Sequence, residues 1–223
     1  MFAKGLSALQ IRVLELLAGF DPPWLLFGGG ALVGVYGQDR QTRDLDLMWM
    51  QRETLADLPM LLEARLRASG LQVRRDVTAA AFVRDHVSDG SDDMELDLVA
   101  DPTSPVEPPV WATIAGILVQ VPTQDALLVD KLCAALGRSE ARDVQDIAFL
   151  LAVGCDLEVA VARAPQRDGG FSALTLAWVL REMPLRRLGP LAGWDAYLLA
   201  EMLLFRDALV TRLVDMAARP RST

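Results

Sequence analysis

The stretch that most restricts how this chain can fold is Trp24 to Met50, WLLFGGGALVGVYGQDRQTRDLDLMWM. Trp24-Leu25-Leu26-Phe27 is a short apolar run set between Pro22-Pro23 and Gly28-Gly29-Gly30, punctuation that predicts a core strand rather than a helix. The glycines allow the backbone to come within hydrogen-bonding distance of a ligand, where a Cβ would intrude. A helix is expected from Ala31 to Tyr36, and its first amides, lacking internal partners, favour an anion such as phosphate. Asp44-Leu45-Asp46-Leu47 then alternates acid and apolar, the period of a half-buried strand. Both carboxylates point to one face, with Leu45 and Leu47 toward the core.

Two aspartates at i and i+2 beside a phosphate-binding turn suggest a divalent-metal site for nucleotide chemistry. Mg²⁺ takes oxygen ligands, typically one or two carboxylates with the rest from water and substrate phosphates. A pair of such ions stabilises the attacking and leaving oxygens of a phosphoryl displacement. Taken singly, each half reads as a glycine-rich turn or an exposed acidic strand edge; in this order they favour the functional reading.

These residues carry a family resemblance. A glycine pair, a short helix and Asp-Leu-Asp resemble the signature of the nucleotidyltransferase fold shared with DNA polymerase β and antibiotic-adenylating enzymes. Within that fold, Phe27-Gly28-Gly29-Gly30-Ala31-Leu32 and Arg40-Gln41-Thr42-Arg43-Asp44-Leu45-Asp46 resemble the AbiEii/AbiGii toxin family, with its GG-(T/S)-A-L and R-x-(S/T)-x-D-L-D patterns. Gly30 departs from it, standing where the family often has a hydroxyl residue. The resemblance implies Gly28, Gly29, Gly30 and Thr42 as nucleotide-binding and Asp44 and Asp46 as metal ligands.

Composition narrows the class. Just over half of the 223 residues are apolar, which marks a globular chain, and the formal charge of −8 argues against a broad nucleic-acid-coating surface. A local basic patch near the site could draw on Arg40, Arg43, Arg74 and Arg75. Cys133 and Cys155 are too few for a disulfide framework, so a reducing cytosol is expected. The single histidine, His86, excludes His-rich zinc sites and reads as a solvent-facing loop residue. With no export signal and no apolar run near the roughly 18 residues of a membrane span, the expectation is a soluble cytoplasmic protein with no membrane partner.

Along the rest of the chain, Leu6 to Ala18 reads as an amphipathic helix and Arg52 to Ser69 as another, in which Pro59 marks a kink or the true first turn. Leu71 to Asp76 and Ala80 to Arg84 alternate like paired strands, and His86 to Asp93 reads as a turn. In Met94 to Val99, Glu95 and Asp97 share one face. The resemblance expects a third carboxylate on a later strand, laid beside the first pair. Asp97, flanked by leucines as Asp46 is, fits that place better than Glu95. Asp101 to Pro109 is a proline-rich loop, Gly116 to Val121 a strand, and Thr123 and Ser139 are expected to cap the two helices that follow.

A second resemblance lies in those helices. Lys131, Arg138, Asp143 and Asp146 fall on the AbiEii-type pattern K-L-x-A-L…R…(R/K)-D-x-x-D-L, with Ile147 in place of the last leucine. It implies Lys131 as a catalytic, phosphate-neutralising cation and Asp143 as nucleotide-binding. Taken by themselves, Lys131 reads as an exposed helix lysine and Asp143 as an acid favoured by a helix N-terminus. From Asp156 onward the chain reads as helix, including one long run from Leu191 to Ala218, with Trp178, Trp194, Tyr197 and Phe205 as packing residues.

The resulting expectation is an α/β fold: a nucleotidyltransferase-type mixed sheet flanked by helices over residues 1–122, and a helical C-terminal region over 123–223. The activity implied is Mg²⁺-dependent (or Mn²⁺-dependent) transfer of a nucleoside monophosphate from an NTP to an acceptor hydroxyl. Asp44, Asp46 and Asp97 would hold metal. The family implies a toxin with a cognate antitoxin, and tRNA as a candidate acceptor. The alternatives are adenylylation of a small molecule or protein on the same fold, and a nucleotide-binding module without turnover.

Overall fold

The computed structural model describes residues 5–105, 107–138 and 140–219. Along the chain run α1 (Ala8–Leu17), β1 (Leu25–Phe27), α2 (Gly28–Gly34), β2 (Asp44–Met50), α3 (Leu58–Ala68), β3 (Gln72–Thr78), β4 (Phe82–Ser88), β5 (Asp93–Asp101), β6 (Val110–Ile114) and β7 (Ile117–Val121). The remainder is helical: α4 (Gln124–Gly137), α5 (Ala141–Ala152), α6 (Leu157–Arg167), α7 (Ala173–Glu182), α8 (Leu185–Leu191) and α9 (Ala196–Ala218). These elements fall into two compact units, Met1–Thr123 and Gln124–Thr223.

In the first unit, seven strands form a mixed sheet in the order β3-β4-β5-β2-β1-β7-β6. β2 runs parallel to β5 and β1 parallel to β7, while the other neighbours are antiparallel. Period-2 alternation sends Leu45 and Leu47 of β2 and Leu96 and Leu98 of β5 into the core, all fully buried. There α1 lies against β5 and α3 against β3, contributing Leu9, Val13, Leu14 and Leu17 from α1 and Leu62 and Leu66 from α3. Each such side chain stabilises the fold by about 1.5–3 kcal/mol relative to exposure. The same alternation leaves the acidic residues of β2 and β5 on the opposite face.

α1 starts at Ser7, whose hydroxyl accepts from the Gln10 amide while the Gln10 side chain accepts from the Ser7 amide at 2.7 Å. This reciprocal cap satisfies two donors that a helix end otherwise leaves open. α2 begins at Gly28, three residues before the expected Ala31. A Cβ on Gly30 would lie 3.0 Å from Leu26 Cδ1 and 3.2 Å from Leu45 Cδ2, so its absence lets this first turn settle closely on β1 and β2. α3 takes Pro59 into its first turn, where a missing N–H costs no helical hydrogen bond.

Two expectations fail in this unit. His86 lies within β4, opposite Arg74 of β3 and Glu95 of β5, and not in a loop. The strand β6 was not foreseen. It turns into β7 through Ala115 and Gly116, both at positive φ (50° and 90°). Such two-residue hairpins are signalled by Asn-Gly or Asp-Gly, and alanine in the first place hides the turn.

In the second unit, α4 packs against α5, α6 and α7, and α9 against α5, α7 and α8. The run read as one helix from Leu191 to Ala218 is broken, and α9 restarts at Asp195, whose carboxylate accepts from the Leu198 amide at 2.8 Å. Trp194 is buried and donates its indole N–H to Gln145 Oε1 at 2.9 Å. Trp178 and Tyr197, expected to pack, are instead 64% and 72% exposed. Glu140 precedes α5 and makes no side-chain cap, and the expected cap Ser139 lies outside the described residues. Among the described residues no helix is long and apolar enough to cross a membrane.

Candidate active site

Strand register assembles the acidic face. The β2–β5 pairing sets Asp46 opposite Asp97 and Asp44 opposite Glu95. On the other side of β5, Arg84 of β4 lies opposite Asp97, and His86 opposite Glu95. Residues opposite one another share a face, on strands about 4.8 Å apart. Two rows therefore cross the sheet side by side, Arg84–Asp97–Asp46 and His86–Glu95–Asp44, and Phe27 at the end of β1 extends the first.

The glycine turn closes against this face. Gly28 has φ +62°, in the region glycine favours, and a Cβ there would lie 2.3 Å from Asp46 Oδ2. At Gly29 a Cβ would lie 2.7 Å from Thr42 Oγ1 and 3.0 Å from Arg40 Nη2. Glycine is thus what lets Asp46 and Thr42 sit against the first turn of α2. The buried Thr42 hydroxyl donates to Asp44 Oδ1. The buried Gln10 side-chain amide donates to the carbonyls of Thr42 at 3.1 Å and Asp44 at 3.4 Å, fixing the entry into β2. Gly28, Gly29, Thr42, Asp44, Asp46 and Asp97 are therefore neighbours, whereas Gly30 turns toward the leucine core.

Sequence reasoning missed two members of this assembly. Gln10 lies in a helix whose sequence shows only amphipathic spacing, and the tertiary path of the chain is what gives it the Thr42 and Asp44 carbonyls. Arg84 holds Asp97 in a fork: Nε donates to Oδ1 at 2.7 Å and Nη2 to Oδ2 at 2.6 Å. Its Nη1 stands 3.5 Å from Glu95 Oε2, and the guanidinium carbon lies 5.7 Å from the centre of the Phe82 ring. The hydrogen bond to Asp97 and the charges of Asp97, Glu95 and Asp44 outweigh burial and raise the Arg84 pKa above its ordinary value. The signal lay in the strand alternation of Phe82, Arg84 and His86, legible only once the β4–β5 register is known.

The local basic patch is largely neutralised where its partners are defined. Arg74 forks onto Asp76 at 2.7 and 3.1 Å, and Arg75 forks onto the buried Asp85 at 2.8 and 3.0 Å while also meeting Glu63 at 3.1 Å.

Whether these residues fit a divalent cation can be tested on the donor set. Asp44 and Asp46 supply two half-buried carboxylates on one face beside a backbone turn, which matches the one or two that Mg²⁺ takes. Asp97 stands in the adjacent position, with both of its oxygens engaged by Arg84. Among the described residues no group of three or more His, Cys, Asp or Glu is gathered as a cation site. The fit therefore rests on the Asp44–Asp46 pair, beside Asp97 in its arginine fork.

Lys131, Asp143 and Asp146 meet in the second unit. Lys131, 8% exposed, reaches Asp143 Oδ1 at 3.1 Å and Asp146 Oδ2 at 2.7 Å, and both aspartates are sealed from solvent. Arg138 adds bonds to Asp143 at 2.9 and 3.0 Å. Burial pushes the Lys131 pKa down, but the charges of Asp146 and Asp143 more than offset it, and the ammonium is held above its ordinary value. Lys131 is accordingly a buried ion-paired group and not a solvated helix lysine. Cys133, two residues further along α4, has its thiol pushed up to about 12, chiefly by burial, which removes it as a nucleophile.

Comparison with known proteins bears on the fold and the family. Across the whole chain the fold is similar to MenT4, a nucleotidyltransferase toxin from Mycobacterium tuberculosis, with a TM-score of 0.63 at 13% identity, covering 96% of this chain and 83% of that one. A Helicobacter pylori protein assigned to the nucleotidyltransferases matches at TM-score 0.53 and 22% identity, with 91% of each chain covered. The antibiotic-resistance factor ANT(2'')-Ia matches at TM-score 0.51 and 16% identity, over 71% of this chain and 89% of that one. At such identities these likenesses speak for the fold alone. No curated protein matches the sequence. The family model of the nucleotidyl transferase AbiEii toxin, type IV toxin–antitoxin system, matches residues 12–207, spanning both the Asp-Leu-Asp strand and the Lys131 helix. The chain belongs to the AbiEii family of nucleotidyltransferase toxins, and is thereby a transferase.

Proposed function

We propose that this enzyme transfers a nucleoside monophosphate from an NTP to an acceptor hydroxyl, acting as the toxin of a toxin–antitoxin pair. The observation that carries the reading is the row Asp97–Asp46 lying in register beside the Gly28–Gly29 turn. In the reaction the acceptor oxygen attacks the α-phosphorus, the bond to the β-phosphate oxygen breaks, and pyrophosphate leaves. Asp44 and Asp46 would hold Mg²⁺, or Mn²⁺ in its place, with Asp97 as the third carboxylate. Such ions supply charge neutralisation at the attacking and leaving oxygens. The backbone at Gly28, Gly29 and Gly30, with Thr42 beside it, would bind the triphosphate through amide donors.

Thr42 also fixes Asp44 through its hydroxyl, and Gln10 fixes both from behind. The nucleotide-binding role of Lys131 and Asp143, implied by the family resemblance, is part of the proposal. Its support is the buried contact of Lys131 Nζ with Asp143 Oδ1 at 3.1 Å, made between two residues that fall on the family pattern.

tRNA is the acceptor the family points to, and a cognate antitoxin the partner. The charge of −8 and the pairing of Arg74 and Arg75 with carboxylates favour a second reading, a small-molecule or protein acceptor. One experiment addresses both. Purified enzyme is incubated with each α-labelled NTP, Mg²⁺ and either total tRNA or a cell lysate, and labelled products are identified by mass spectrometry. Label on tRNA termini supports the first reading, label on a metabolite or protein the second, and no transfer from any NTP refutes the enzymatic proposal.

A further inference from the structure

Asp44, Asp46, Glu95 and Asp97 occupy adjacent positions of two paired strands, and carboxylates so close repel one another unless a cation intervenes. For Asp97 and Glu95 that cation is Arg84. It is not a peripheral surface group: its fork engages both oxygens of Asp97, its third nitrogen faces Glu95, and the field of Asp44 reaches it. Asp97 is nearly buried, whereas Arg84 is 37% exposed and so has room to swing outward. His86, in the neighbouring row, has its Nε2 3.8 Å from Asp93 Oδ2.

We propose that Arg84 is the resident counter-ion of Asp97. It holds Asp97 in the metal-free protein, and a divalent cation can use Asp97 only by displacing the guanidinium. Arg84 is on this account a positioning residue that sets how tightly the free enzyme binds metal. The proposal rests on the reading of Asp44 and Asp46 as metal ligands. It has a functional corollary: the bare enzyme binds the ion weakly, and metal is loaded effectively when nucleotide phosphates bring added negative charge to attract Arg84 away from Asp97. A bidentate arginine suits that exchange, because a planar guanidinium meets carboxylate and phosphate with the same geometry.

The test is direct binding of Mn²⁺ alone, followed by the loss of the free-ion electron paramagnetic resonance signal on titration into nucleotide-free protein. Arg84→Met keeps the length of the stem and removes the charge. It is expected to tighten Mn²⁺ binding by about tenfold or more, the scale of one charge-assisted hydrogen bond relieved. Adding Asp97→Asn to that variant should abolish the gain, since the freed carboxylate is its source. Arg84→Lys, which retains charge but cannot span both oxygens, should tighten binding by a smaller factor and serves equally if the methionine variant does not fold. Equal or weaker Mn²⁺ binding by the Arg84 variants would overturn the inference. A gain that survives Asp97→Asn would do so as well, by reducing the effect to general charge. An absence of Mn²⁺ binding in every protein, with and without nucleotide, would overturn the metal reading along with it.

Discussion

The molecule carries two clusters of charge, and they are built on opposite principles. On the sheet of the first unit, Arg84 forks onto Asp97, and Asp44, Asp46 and Arg84 all reach solvent. In the second unit, Asp143 and Asp146 face Lys131 and Arg138, and the two aspartates are sealed from solvent. The first cluster is open, the condition under which a mobile counter-ion binds. The second is closed around Lys131 and the two aspartates, which have already lost their hydration, and their mutual attraction offsets that cost, while Arg138 stays half exposed at its edge. Charge open to solvent and charge sealed from it can therefore be told apart by burial before any ligand is seen.

The sharpest way to break this contrast is Asp46→Asn. The swap keeps the side-chain volume and removes the charge a hard cation requires, so transfer should fall below detection in the labelled-NTP assay. The melting temperature should change little, because the amide keeps the shape of the half-buried side chain. Normal turnover by the folded variant would refute the metal role of Asp46.

In the closed cluster the order of effects should reverse. Lys131→Ala leaves two buried carboxylates without their ammonium, a loss on the order of 3–5 kcal/mol, readable by urea denaturation. A change below about 0.5 kcal/mol, the scale of ordinary surface substitutions, would contradict the burial described here. NTP titration at a temperature where the variant remains folded then isolates the nucleotide role. An unchanged affinity would remove Lys131 from nucleotide binding.

Gly28→Ala joins both readouts. A residue with a Cβ in the left-handed region costs of order 1–3 kcal/mol, and this Cβ would also displace the Asp46 carboxylate. Stability should fall by that amount and Mn²⁺ affinity should fall with it. Loss of stability with intact metal binding would make Gly28 a backbone requirement only.

How much of this was legible beforehand follows from the range of each interaction. Asp44, Asp46 and Asp97 could be placed on one side of their strands because alternation is local, and the mixed α/β sheet followed from the family pattern around them. Where the strands pair is not local. Arg84, two strands from Asp46, carried no signal in Phe82 to His86 beyond its alternate position, and His86 was taken for a loop residue for want of the same register. Gln10 was unreadable for a related reason, since its partners lie 32 and 34 residues away. Lys131, taken without the family pattern, read as solvated because its ion pairs lie with Asp143 and Asp146 of the next helix. Trp178 erred the other way: helical spacing suggested packing, and the side chain is exposed.

The smallest expected effect uses an arginine fork of the same geometry in a different setting. Arg74 donates to Asp76 through Nε and Nη2 at 2.7 and 3.1 Å, much as Arg84 does to Asp97. This pair stands on the edge strand β3 with Arg74 largely in water. The hydrogen bond from Arg74 lowers the Asp76 pKa below its ordinary value. A carboxylate with a depressed folded pKa adds stability above its unfolded pKa and loses it as the pH falls through the folded one. For an exposed pair that contribution is screened by salt and spent against side-chain ordering. Arg74→Ala should therefore leave the melting temperature, its acid-side pH dependence and the Mn²⁺ affinity unchanged at physiological ionic strength. If Arg74→Ala instead tightened Mn²⁺ binding as Arg84→Met does, long-range charge on the face would explain both, and the distinction drawn between a contact and a field would fail.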